Sequence, residues 1–170
     1  MMEAVTGTDT MRHPSAASIL RAAPAVAVIA LMLVAAGAAP ASAQDGPGMR
    51  AGLSVNPDQF FVGGHYVSQP VTGMLRFQPN VEAGFGQDVT AIAFNGEFAL
   101  WKKVNPDWHV YFGGGPSMNV YRYTVRDTTE TGLGFNVVAG LRRRGGVFFE
   151  LKYGVGDSPG FKMAVGYTIR

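Results

Sequence analysis

From Phe161 to Arg170 the chain alternates without a break. Phe161, Met163, Val165, Tyr167 and Ile169 fall on one face, and Lys162, Ala164, Gly166, Thr168 and Arg170 on the other. A period of two sends successive side chains to opposite sides of a strand, so this segment reads as a strand with one oily and one polar face. The same period recurs upstream. Leu133, Phe135, Val137, Ala139 and Leu141 oppose Gly134, Asn136, Gly140 and Arg142, and Val147, Phe149, Leu151, Tyr153 and Val155 oppose Glu150, Lys152 and Gly154. Ile92, Phe94, Phe98 and Leu100 stand against Asn95, Glu97 and Lys103, and Leu75, Phe77, Val81 and Phe85 against Arg76, Gln78, Asn80 and Glu82. No competing helical period runs through these segments.

Turn-forming clusters punctuate the pattern at Asn56-Pro57-Asp58, Gln69-Pro70 to Gly73, Gly86-Gln87-Asp88, Asn105-Pro106-Asp107, Asp127 to Glu130, Gly145-Gly146 and Gly156-Asp157-Ser158-Pro159. These seven turns separate eight predicted strands: Met49 to Val55, Gln59 to Val67, Met74 to Phe85, Val89 to Val104, Trp108 to Val125, Gly132 to Arg142, Val147 to Val155 and Gly160 to Arg170. Pro79 and Pro116 fall inside two of them, where a missing N–H interrupts a ladder. Gly113-Gly114-Gly115 before Pro116 predicts a bulge, with the side-chain register from Met118 to Tyr123 left open.

Before the first strand the pattern is different. Between Ala22 and Ala39 only Pro24 and Gly37 are not Ala, Val, Ile, Leu or Met, with Arg12, His13 and Arg21 in front and Ala41-Ser42-Ala43 behind. That order is a helical signal peptide with a small-residue cleavage site, so residues 1–43 are expected to be removed and 44–170 to form one domain. Met11, directly before Arg12, is an alternative start. The rival reading is a retained span, and eighteen apolar residues are at the short edge for one.

Composition narrows the function. Of 14 Lys and Arg and 12 Asp and Glu, the leader holds Arg12, Arg21, Glu3 and Asp9, which leaves 12 and 10 beyond it. This balance argues against nucleic acid as a partner. There is no cysteine, so an exported chain would rely on packing or on a membrane rather than on disulfides.

Periodicity defines two faces without saying which is inside. A soluble lipocalin-like barrel would hold a small apolar ligand against its oily face, whereas a membrane barrel turns that face to lipid. The expected arrangement is the second: an all-β, single antiparallel, up-and-down, eight-stranded transmembrane β-barrel. Arg76, Glu82, Glu97, Glu150, Lys152 and Lys162 would then pair in its interior, since desolvated charges need partners. With both chain ends on the periplasmic side, Tyr66, Trp108 and Tyr167 form a girdle near that rim, and Phe60, Phe85 and Phe161 one near the outer rim.

The leader end Ala41-Ser42-Ala43, the run Val110 to Tyr121, the segment Val147 to Tyr153 and the closing strand together resemble the small eight-stranded outer-membrane barrels of the OmpA/OmpX-like superfamily. The resemblance is one of pattern and spans the segment 44–170. It implies the outer membrane of a diderm bacterium, outer-membrane lipid and the barrel-assembly machinery as partners, a monomer, and no cofactor. Members carry an assembly signal in the last strand. Lys162, Ala164, Tyr167 and Ile169 match its spacing, with Ala in place of its Gly and Arg170 in place of its terminal aromatic.

The implied role is non-enzymatic: envelope structure, a surface interaction or a narrow conductance. A second alternative is a barrel-type lipid A deacylase or acyltransferase, with His65 or His109 as general base. Such deacylases carry a His-x-Ser element late in the chain, and no histidine follows His109. No catalytic, cofactor-binding or metal residue is assigned: cysteine is absent, the histidines are far apart, and the glycine run lacks a following Gly-Lys-Ser/Thr. Arg142-Arg143-Arg144 is the one basic cluster, read as a solvated turn or one touching anionic headgroups.

Overall fold

The computed structural model describes residues 45–169, so the leader, its cleavage site and Arg170 lie outside the described residues. Nine strands follow one another: β1 Gly46–Val55, β2 Gln59–Val67, β3 Pro70–Thr72, β4 Leu75–Phe85, β5 Val89–Lys103, β6 Trp108–Tyr123, β7 Thr128–Arg143, β8 Val147–Gly156 and β9 Phe161–Thr168. Each antiparallel pair joins neighbours in sequence, apart from two contacts that close the sheet. β1 meets β9 from Gly48↔Thr168 to Val55↔Phe161, and β2 meets β4 from Phe60↔Phe85 to His65↔Asn80. The short β3 pairs only with β4 and stands outside the ring. The result is a closed, up-and-down barrel of eight strands, with no open edge along most of its wall.

Both chain termini and the β2–β4, β5–β6 and β7–β8 connections lie at one end, called here the termini end. The four remaining turns lie at the far end. β7 begins at Thr128, four residues before the turn signals place it, because Thr128 to Thr131 pair with Val120 to Tyr123 and extend the β6–β7 hairpin. β8 does not follow this extension, and its pairing with β7 stops at Gly134↔Gly156.

The bulge expected at Gly113 to Pro116 is absent. Pairing of β5 with β6 lapses opposite Gly115 and Pro116, then resumes at Phe98↔Gly114 in the register it left at Asn95↔Ser117. The glycines serve a close approach instead: a Cβ on Gly113 would sit 1.9 Å from the Phe98 carbonyl oxygen, and one on Gly115 2.0 Å from that of Gly96. Alternation therefore continues through β6, with Ser117, Asn119 and Tyr121 inside and Met118 and Val120 outside. Pro79 faces outward one position past His65↔Asn80, where the β2–β4 ladder has ended, so its missing N–H interrupts no paired stretch there.

Burial is inverted relative to a water-soluble domain. Glu97 and Glu150 are fully buried, while Phe112, Tyr153 and Leu133 expose 61%, 61% and 71% of their surface. The oily face of each barrel strand points out, and the polar face fills the inside.

Candidate functional site

The barrel interior is organised in three layers along its axis. In the middle layer, inward positions of β1, β4, β5, β8 and β9 bring three cations and three carboxylates together. Arg50 reaches Glu82 at 3.0 Å through Nη1 and Glu150 at 2.9 Å through Nη2. Lys152 Nζ sits 2.8 Å from Glu97, 3.3 Å from Glu82 and 3.7 Å from Glu150, and Lys162 Nζ sits 2.7 Å from the other Glu82 oxygen. The formal charges cancel within a group of side chains that are nearly all withdrawn from solvent, which meets the demand that buried charges be paired.

Neutral amides extend the network. Asn80 donates to Glu97 and accepts from Lys152 and Asn95, and Asn136 donates to Asn95 and Glu97. The Tyr111 hydroxyl donates to Glu150 at 2.8 Å. It can do so because its partner across the ladder is Gly140, where a Cβ would lie 2.1 Å from the phenol ring. Aromatic rings close the layer: the Arg50 guanidinium lies 5.4 Å from the Phe148 ring centre, and Lys162 Nζ lies 5.0 Å from that of Phe61.

Toward the termini end, Trp101 stacks on Tyr111 with ring centres 4.6 Å apart, and the Arg76 and Arg142 guanidinium carbons lie 5.5 and 5.4 Å from its ring. Arg76 also pairs with Asp45 and donates to the Ser68 carbonyl. Toward the far end, the β8–β9 turn folds inward. Ser158 meets Ser117, while Asn119 and Tyr121 both donate to the Asp157 carbonyl. Three successive inward residues of β6 thus hold that turn across the mouth.

Of the six residues expected to form the interior network, Glu82, Glu97, Glu150, Lys152 and Lys162 lie together. Arg76 does not join them: its contacts are with Asp45, Ser68 and Trp101, nearer the termini end. The central cation that the sequence reading passed over is Arg50. Its signal was available, because Arg50, Gly52 and Ser54 oppose Met49, Leu53 and Val55 in the first run.

The girdle residues divide between the ends. Phe60 and Phe85 face each other across β2 and β4, and Phe161 sits opposite Val55, all near the far end. Tyr66, Trp108 and Tyr167 sit near the termini end, opposite Pro47, Arg143 and Met49 respectively. His65 and His109 both point inward. His65 Nε2 hydrogen-bonds Thr168 at 2.7 Å with its ring edge-on to Phe148, and His109 sits beside Trp101. On the outer wall, Gly64, Pro79, Gly96 and Pro116 line a trough of about 800 Å³ flanked by Phe94 and Met118.

Fold and interior together define a class: an eight-stranded antiparallel barrel with an ion-paired inside and an apolar outside. No protein-family model matches the chain, and no curated protein matches it significantly. Among solved structures the chain is similar to the solution NMR structure of the de novo designed TMB2.3, at 23% identity and a TM-score of 0.39, over 75% of this chain and 98% of that one.

Proposed function

We propose that this protein is a bilayer-spanning barrel of the OmpA/OmpX-like kind, resident in a bacterial outer membrane after export, and that its role is non-enzymatic: envelope structure, a surface interaction or a narrow conductance. One observation carries the reading: large apolar side chains cover the outside of the barrel while three ion-paired carboxylates are sealed within it. A surface of this kind is costly in water and matched to acyl chains. The strand lengths support the same reading. β1, β2, β4 and β8 have 10, 9, 11 and 10 residues, which suits a tilted crossing of a hydrocarbon layer, while β5, β6 and β7, at 15, 16 and 16, are long enough to cross and run beyond it, and β9 has 8.

The interior favours a plugged barrel over a wide pore. Eight strands leave room for little more than side chains, and here long side chains from β1, β4, β8 and β9 meet at the axis. A lipocalin-like role would require the oily face to line the inside, the reverse of the burial observed. Membrane fractionation combined with gel migration of unboiled samples tests the proposal. A membrane-bound chain whose band shifts on boiling is the expected result. A soluble chain with an unshifted band overturns it.

A further inference from the structure

The two ends of the barrel carry opposite charge. Among the described residues, the exposed charged groups at the far end are Asp58, Asp88, Asp127, Glu130 and Asp157 against Arg122 and Arg126, and Arg122 is already paired with Asp127 at 3.0 Å. At the termini end they are Lys102, Lys103, Arg143 and Arg144 against Asp107, with half-buried Asp45 engaged by Arg76.

The four cations are gathered in one sector of the rim. Lys102 and Lys103 end β5, Arg143 ends β7 with Arg144 just beyond, and β6 starts between them at Trp108. Trp108 lies opposite Arg143 in the ladder and its carbonyl accepts from the Val104 amide at 3.0 Å, while the Arg144 amide donates to the Asp107 carbonyl at 2.7 Å and ties the two turns together. Neighbouring strands run about 5 Å apart. Lys102, Trp108 and Arg143 therefore share the outer face across three adjacent strands, with an exposed indole between two cations.

We propose that this sector, with Lys102, Trp108 and Arg143 on the outer face and Arg144 and Lys103 adding charge at the rim, Lys103 from the inward phase of β5 opposite His109, is a binding site for the phosphate-bearing headgroup of an anionic phospholipid in the leaflet at the termini end. The proposal rests on the bilayer-spanning reading above and adds a partner to it. Charge complementarity selects the occupant. Cations at a membrane surface attract anionic lipid, an indole settles at the headgroup level, and the guanidinium fork matches phosphate oxygens. Asp107 is the one opposing acid on the exposed rim of this sector, so the balance stays positive. The far end, with more acids than bases, offers no such match.

The test is reconstitution of the protein into nanodiscs holding equal amounts of phosphatidylglycerol and phosphatidylcholine, with retained lipid counted by native mass spectrometry. Wild type is expected to retain phosphatidylglycerol at least about fivefold over phosphatidylcholine, falling toward parity in high salt. The variant Lys102→Gln/Lys103→Gln/Arg143→Gln/Arg144→Gln is expected to lose the preference, and Arg122→Gln/Arg126→Gln to keep it. Equal retention by wild type, an undiminished preference in the fourfold variant, or loss of preference in the far-end variant would each overturn the site. Folding is read separately, from the heat-shifted band in pure phosphatidylcholine. Absence of that band in wild type counts against the membrane reading itself, whereas its presence in the fourfold variant shows that lost lipid preference is not lost structure.

Discussion

Glu82 is the residue on which the interior depends most. It accepts from Arg50 and Lys162 and lies within ion-pair distance of Lys152, so three cations lean on one carboxylate. Replacing it as Glu82→Gln keeps the shape and leaves three buried cations facing two carboxylates. We expect a loss of about 3–5 kcal/mol, read as a lowered urea midpoint of the reconstituted barrel. Removing a cation as well, in Glu82→Gln/Lys162→Met, should recover part of that loss, and strictly additive losses would contradict the pairing. By contrast, Arg122→Gln breaks a well-exposed pair and should cost at most about 1 kcal/mol. Gly140→Val tests packing at the same scale. Its side chain would run into the Tyr111 ring and displace the hydroxyl from Glu150, for an expected loss of about 1–3 kcal/mol.

At the scale of elements, the strands were legible in the sequence because each carries its own period, and the turn residues mark where each period stops. Partners were less legible. Glu82, Lys152 and Lys162 show by alternation that they share a polar face, but only the ladder brings β4 to the same depth as β8 and β9. Arg76 shares the polar face of β4 with Glu82 yet lies six residues nearer the termini end, too far along the axis to join that cluster. The bulge failed for a related reason. Three glycines before a proline are a local signal, and continuous pairing of β6 with β7 through Pro116↔Phe135 overrides it.

The inward β8–β9 turn had no sequence signal beyond its turn residues, since what holds it is Ser117, Asn119 and Tyr121 on another strand. Asn119→Ala combined with Tyr121→Phe should free the Asp157 carbonyl. Faster amide hydrogen exchange at Asp157 and Gly160, with the β1–β9 seam unchanged, is the expected result. Unaltered exchange at the turn would show that these side chains do not hold it.

For the whole molecule, closure and inversion belong together. A closed ring satisfies its backbone groups through its own ladders, which is what a bilayer requires of a strand-built span, and in the proposed bilayer setting the apolar belt would be an asset rather than an aggregation hazard. The direction of the side chains is directly measurable, because the chain has no native cysteine. Single cysteines at Phe149, Leu151 and Tyr153, each carrying a fluorophore in reconstituted vesicles, should be quenched by nitroxides on lipid acyl chains and protected from iodide in the water. Quenching by iodide at all three sites, with none from the lipid nitroxides, would contradict the account.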